Sequence, residues 1–198
     1  MNIAVLGASF DPAHNGHLTI VKNVLKSQKV HRIILMPVNI HPFAKRLTEA
    51  RHRLAMAKLL KGKNIKVSNL ELEKKSTSYS IDTLRILQQK YPKDKLYWIV
   101  GSDYLKSFTK WKDWQKIISD FGLIIVARNT QINISKEFKK IINTQDFSKN
   151  IIILHAKKFP PINISSSQIK QKIKKGQSIK NLVPERIENY IIQNKLYS

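Results

Sequence analysis

The sequence predicts an α/β protein: a Rossmann-like, doubly wound parallel sheet with a helical C-terminal segment. Three observations predict it. Short, continuous apolar runs recur along most of the chain, as in strands buried on both faces. Helix-period apolar stripes lie between them. The order is strand, helix, strand, repeated, which packs as crossovers over a parallel sheet.

The apolar runs are Ile3–Leu6, Ile33–Val38, Leu96–Val100, Leu123–Ala127 and Ile151–Leu154, with a weaker, alternating run at Ile65–Leu72. Leu18, Val21, Val24 and Leu25 fall on one face of a first helix, and Leu54, Ala57, Leu59 and Leu60 belong to a second. Ile81, Leu84 and Leu87 mark a third, which ends near Tyr91-Pro92, where proline stops it. The last part changes character. Ser165 and Gln168 have capping-box spacing, and Gly176 stands where a helix-ending glycine belongs. Pro184 opens a final helix with Ile187, Tyr190 and Ile191 on one face. The expected organisation is one domain over 1–198: a parallel-sheet core at 1–156 and a helical part at 157–198.

Composition narrows the class. The chain has no cysteine, which excludes disulfides, zinc–thiolate sites and thiol catalysis and fits a reducing compartment. No apolar run approaches the roughly 20 residues of a membrane span, and the opening Met1–Gly7 reads as a strand rather than a signal peptide. A cytoplasmic location is expected. The net charge of +23 has three readings. It fits a nucleic-acid binder, an enzyme that gathers polyanionic substrates, or codon bias, since Lys, Ile and Asn are abundant together and the lysines are scattered. One stretch is denser: 157–180 holds seven lysines and no acid.

Gly7-Ala8-Ser9-Phe10-Asp11-Pro12-Ala13-His14-Asn15-Gly16-His17 joins the first strand to the first helix. Ligands of open α/β sheets bind there, outside a strand's carboxyl end. The block has neither dinucleotide-binding nor Walker spacing. His14 and His17 bracket Gly16 at a helix start, whose free N–H groups and positive dipole end hold phosphate. The alternatives are two surface histidines in a turn, one capping group with one solvent-facing ring, or a zinc site, for which no third ligand is evident nearby. The block resembles the Gly-x-Phe-Asp-Pro-x-His-x-Gly-His signature of the nucleotidyltransferase superfamily. That resemblance implies an adenylyl- or cytidylyltransferase whose two histidines bind the triphosphate. ATP is then expected along Gly7, Ala8, Ser9, Phe10, His14, Gly16 and His17.

A second hydroxyl-rich helix start follows at Ile164-Ser165-Ser166-Ser167-Gln168-Ile169-Lys170. Capping accounts for Ser165 but not for three serines and a lysine together. The segment is similar to the superfamily's Ile-Ser-Ser-Thr-x-Ile-Arg motif. Ser167 stands for its Thr, and Lys170 for its Arg, which keeps the charge and loses the bidentate fork. Ile164, Ser165, Ser166, Ser167 and Lys170 are therefore expected at the triphosphate, with Lys170 beside His14 and His17 in catalysis.

The middle of the chain bears on the acceptor. Ser78-Tyr79-Ser80-Ile81-Asp82-Thr83-Leu84, Gly101-Ser102-Asp103, and Phe108, Trp111 and Trp114 resemble segments of the bacterial nicotinate-nucleotide adenylyltransferases. So do Pro37 with His41-Pro42-Phe43-Ala44-Lys45 in altered spacing, Ile124–Arg128 and Leu182-Val183-Pro184-Glu185. The resemblance implies Trp111 stacked on the nicotinate ring, Ser80 and Thr83 near its carboxylate, and Lys45 at a phosphate. Trp114 reads as structural. Asp103, at a strand end, is expected either to accept from a ribose hydroxyl of ATP or to cap a helix.

The expected reaction is attack of the mononucleotide's phosphate oxygen on the α-phosphorus of ATP, with pyrophosphate leaving. A phosphate monoester is already nucleophilic at neutral pH, so alignment and charge stabilisation suffice. His14 is assigned to the α-phosphate, His17 to the triphosphate, and Ser166, Ser167 and Lys170 to the β- and γ-phosphates. Mg²⁺ is expected on the phosphates rather than in a protein carboxylate cage. Small-molecule substrates are the expected partners, without specific nucleic acid or membrane. The competing readings are phosphopantetheine or nicotinamide mononucleotide as acceptor and, from another class, a basic nucleic-acid-binding α/β domain. Among these, the last explains the charge but neither phosphate motif.

Overall fold

β1 (Asn2–Ala8), β2 (Arg32–Pro37) and β3 (Ile65–Val67) alternate with α1 (Asn15–Lys26) and α2 (Ala50–Lys58) in the first third of the chain. After α3 (Ser80–Lys90) come β4 (Lys95–Gly101), the short helices α4 (Leu105–Phe108) and α5 (Trp114–Lys116), β5 (Leu123–Val126) and β6 (Ile151–Leu154). Helices α6 (Ser166–Lys174) and α7 (Glu185–Gln193) close the order. This computed structural model describes residues 1–39, 47–60, 62–74, 77–127, 138, 147–155 and 163–198. Lys45 and its loop, Arg128, and Lys157 and Lys158 of the lysine-dense stretch lie outside the described residues.

The six strands form one sheet in the order β3-β2-β1-β4-β5-β6, every pair parallel. The winding direction reverses between β1 and β4, so the ligand crevice of such a sheet opens at their carboxyl ends. Those ends carry Gly7-Ala8 and Gly101.

The apolar strands serve both faces. Ala4, Leu6, Ile33, Leu35, Ile99 and Ile124 pack under α1, α2, α6 and α7. Ile3, Val5, Ile34, Trp98, Val100 and Ile125 pack under α3 and residues 105–121. Continuous rather than alternating apolarity follows from this double coverage.

Two expectations change. The run Ile65–Leu72 yields a strand of three residues. Asn69 turns the chain, with its carbonyl accepting the Leu72 N–H at 2.8 Å, and Leu70 then folds onto the second core layer. On α2 the buried stripe is Arg53, Met56 and Ala57, continued by Leu60 just beyond its end, while Leu54 and Leu59 are only partly covered. The helix is turned to bury an arginine.

The C-terminal punctuation is as expected. Ser165 Oγ accepts the Gln168 N–H at 3.2 Å. Gly176 has φ +64°, and the N–H groups of Gly176 and Gln177 close on the Ile173 and Lys172 carbonyls, each at 2.9 Å. This is a Schellman ending, whose left-handed residue favours glycine.

Candidate functional site

The first motif leaves β1 at the crevice. A Cβ on Gly7 would meet the Trp98 indole at 2.4 Å, so glycine here makes room for a tryptophan on β4. Phe10 is buried with φ +50°, a sparsely populated conformation for such a side chain, and the Asp11–Pro12 peptide is cis. His14 then caps α1.

His14 and His17 are both buried, which sets aside the reading of two surface histidines. Their rings lie 3.8 Å apart between centroids, and Phe10 covers His17 at 4.7 Å. His17 Nδ1 accepts the His14 backbone N–H at 3.2 Å. It thereby fills the place of the Glu or Gln in a capping box. With Nδ1 accepting, the neutral ring carries its proton on Nε2. His17 is thus a structural cap as well as a candidate donor. Among the described residues no cluster of three or more His, Cys, Asp or Glu is placed to hold a metal.

The second motif meets the first across 154 residues: Ser166 Oγ donates to the Pro12 carbonyl at 3.1 Å. Lys170 Nζ, from the same helix, pairs with the Asp11 carboxylate. Two helix starts, α1 and α6, are therefore held side by side. Ile164 is partly buried against the first core layer, and Ser165 is committed to its cap. Ser167 is exposed.

Behind them lies a buried polar network that sequence reasoning missed. Asp11, 1% exposed, also accepts from the Tyr197 hydroxyl at 2.7 Å and from the Thr48 N–H at 3.3 Å. Burial alone would push its carboxyl up, but the donors Lys170, Thr48 and Tyr197 hold it below the ordinary range. Arg53 donates to the carbonyls of Thr48 (2.8 Å) and Ser9 (3.2 Å) and to that of Val38. Burial lowers its pKa, and the Asp11 charge opposes this. Arg53 thus ties the ends of β1 and β2 to the start of α2. A signal existed: Arg53, Met56, Ala57 and Leu60 have i, i+3, i+4, i+7 spacing.

At the other side of the crevice, the expected acceptor residues divide. Thr83 is fully buried and donates to Glu71 Oε1 at 2.6 Å, so its hydroxyl is committed inward. Glu71 is itself buried. Burial raises its pKa, and the Thr83 hydroxyl opposes the shift only in part. Ser80 is partly exposed in the first turn of α3. Asp82 faces outward to Lys112 at 2.9 Å and Arg85 at 3.6 Å, and Arg85 reaches Asp113 at 3.1 Å. Trp111 touches Phe108 at 5.2 Å between centroids, and Trp114 packs edge-on to both Phe108 and Phe147. This places Trp114 in the core layer more firmly than Trp111. Asp103 is exposed in a short 3-10 turn, Ser102–Tyr104, whose cap is Gly101, so it is no N-cap.

A doubly wound sheet with two capped helix starts meeting at its switch point is the frame of a nucleotide-binding α/β protein. The Cytidylyltransferase-like family model matches residues 5–172. A protein of Dictyoglomus thermophilum named "probable nicotinate-nucleotide adenylyltransferase" is 34% identical over the full length of both chains. A Clostridium tetani protein of the same name is 33% identical over 98% of each chain. Among solved structures, Plasmodium falciparum nicotinic acid mononucleotide adenylyltransferase complexed with NaAD superposes with a TM-score of 0.80. It covers 99% of this chain and 97% of that one at 23% identity, a likeness of fold. By the family match and these full-length relatives, the chain belongs to the cytidylyltransferase-like family, among the nicotinate-nucleotide adenylyltransferases.

Proposed function

We infer that the chain transfers the adenylyl group of ATP to nicotinate mononucleotide, giving nicotinate adenine dinucleotide and pyrophosphate in NAD biosynthesis. The observation that carries the mechanism is the contact between the two motifs, Ser166 Oγ on the Pro12 carbonyl at 3.1 Å. In this reading the starts of α1 and α6 and the cation Lys170 surround one triphosphate, whose charge a helix start favours.

In this reading ATP lies along Gly7 to Phe10, with Asp103 at its ribose. His14 and His17 donate to the α-phosphate and triphosphate oxygens. The α6 N–H groups, the Ser167 hydroxyl and Lys170 take up charge on the β- and γ-phosphates as pyrophosphate forms. Because these donors are fixed before reaction, they stabilise the charge without reorganising. The acceptor phosphate attacks in line and needs no general base. The donor set is cationic and hydroxylic, and Asp11 is committed to Lys170 and Tyr197. Mg²⁺ therefore arrives as part of the MgATP substrate rather than on protein ligands.

The sheet and the helical C-terminal part act as one domain in this mechanism, since residues 11–12 and 166–170 form a single site. No helix among the described residues is long and apolar enough to cross a membrane, and we assign the enzyme to the cytoplasm.

The test is pyrophosphate release from MgATP with nicotinate mononucleotide, nicotinamide mononucleotide or phosphopantetheine as acceptor. Release with the first well above the others is expected. Equal or greater release with phosphopantetheine, or none with any, overturns the reading. Tight, selective binding to duplex DNA at physiological salt would restore the nucleic-acid reading of the +23 charge.

A further inference from the structure

We propose that Tyr197 is a positioning residue for the reaction, holding the Lys170 ammonium in place through its ring and, by its hydroxyl, through Asp11. Lys170 Nζ sits 5.0 Å from the centroid of the Tyr197 ring, in cation–π range. The same phenol donates to Asp11 Oδ1 at 2.7 Å, while Lys170 takes Oδ2 of that carboxylate. One tyrosine therefore contacts both members of the ion pair.

The need for such a device follows from the residue type. A lysine ammonium is a point charge on a flexible stem, without the planar fork by which arginine fixes its own orientation. Fixing that stem in a particular rotamer costs conformational entropy. Here the ring and the carboxylate have already met that cost in the folded chain. Asp11 accepts one of the three ammonium hydrogens, and the side chain of Lys170 remains 29% exposed, so other donors stay available to an anion. Tyr197 stays a donor to Asp11, because burial and the adjacent carboxylate push its phenol well above the ordinary value. Asp11 in turn is anchored by Thr48, whose carbonyl is held by Arg53. The chain from Arg53 to Lys170 is thus continuous, and Tyr197 closes it.

The proposal rests on the reading that Lys170 contacts the triphosphate, and the experiment separates the two. Steady-state kinetics are measured with MgATP and nicotinate mononucleotide for Tyr197→Leu, Tyr197→Phe, Lys170→Ala and the double variant Tyr197→Leu/Lys170→Ala. Tyr197→Leu should lower kcat/KM for ATP by about tenfold, with the KM for nicotinate mononucleotide unchanged. Tyr197→Phe, which keeps the ring but loses the hydrogen bond to Asp11, should recover part of that loss. In the Lys170→Ala background, Tyr197→Leu should have no further effect, because the two act as one unit. Thermal melts accompany each variant. A Tyr197→Leu protein with a lowered melting point but unchanged kcat/KM for ATP overturns the proposal. So does a loss that multiplies with that of Lys170→Ala, or one that Tyr197→Phe fails to recover even in part. A Lys170→Ala protein with normal ATP kinetics overturns instead the reading beneath it.

Discussion

The imidazole of His17 stacks on that of His14 at 3.8 Å while its Nδ1 accepts the His14 backbone N–H at 3.2 Å. A single side chain thus orients the helix start and, in the proposed mechanism, donates from its other nitrogen. The expectation of a purely catalytic His17 is too simple, and the two roles can be separated. His17→Ala should lower turnover by about a hundredfold or more. It should also cost about 1 kcal/mol of stability through the lost cap, a few degrees in Tm. His17→Gln restores a side chain that reaches the capped N–H, so its Tm should return while its turnover stays low. Pyrophosphate-release kinetics and thermal melts on the two variants check this. Turnover restored by Gln would show that the cap alone matters.

Arg53 makes a second, more severe prediction. Its guanidinium is 2% exposed and serves three backbone carbonyls. Arg53→Met keeps the bulk but leaves those carbonyls unpaired, at roughly 3 kcal/mol or more. It also removes a positive charge near Asp11. The variant should melt many degrees lower and bind ATP more weakly, because Ser9 loses its anchor. Calorimetry and ATP titration give both numbers; an unchanged KM for ATP would confine Arg53 to stability.

The two buried carboxyls respond to pH with opposite signs. The Asp11 pKa is lowered in the fold, so its contribution is present above the unfolded value, about 3.9, and is lost as pH falls through the lowered one. The Glu71 pKa is raised, so its contribution is complete below the unfolded value, about 4.3, and is lost as pH rises through the raised one. Glu71→Gln cannot ionise and still accepts from Thr83. Its Tm should exceed wild type at pH 8, with the gap closing toward pH 4. A gap independent of pH would show that Glu71 does not titrate in this range.

The sheet was legible because its strands are buried on both faces and read as continuous apolar runs, as at Leu123–Val126. The edge strand β3 was overextended, since an alternating pattern cannot distinguish a strand from a turn like that at Asn69, which ends by packing Leu70 on the core. The two motifs were legible as helix starts, because capping and glycine punctuation are local. Their meeting was not, since Ser166 and Pro12 are brought together only by the sheet's winding. The buried contacts of Asp11, Arg53, Glu71 and Tyr197 were not legible for a related reason: each is a buried polar group justified by partners distant in sequence, such as Tyr197 to Asp11 across 186 residues.

The final prediction concerns acceptor choice: nicotinate mononucleotide should be preferred over nicotinamide mononucleotide. A carboxylate needs donors and tolerates no facing anion. Asp82, in the first turn of α3, would repel it if turned inward, but Asp82 is engaged outward by Lys112 and Arg85. The same ion pairs join α3 to the segment carrying Trp111 and Asp113, keeping the proposed stacking surface beside the helix start. Thr83 cannot supply its hydroxyl proton, which goes to Glu71. The remaining donors are Ser80 and the free N–H groups of the first turn, whose dipole end favours an anion. Facing them, an amide would waste its NH₂ on donors, a mismatch of about 1–3 kcal/mol, or ten- to a hundredfold in kcat/KM. Trp111→Ala should raise the KM for both acceptors alike, since stacking does not distinguish acid from amide. Ser80→Ala should narrow the ratio between them, and Thr83→Val should mainly lower Tm by leaving the Glu71 carboxyl without its donor. The measurement is kcat/KM for each acceptor in the four proteins. A wild-type ratio near one, or in favour of the amide, would show that the α3 start does not face the pyridine substituent, and a Trp111→Ala protein with normal KM values would remove the stacking role.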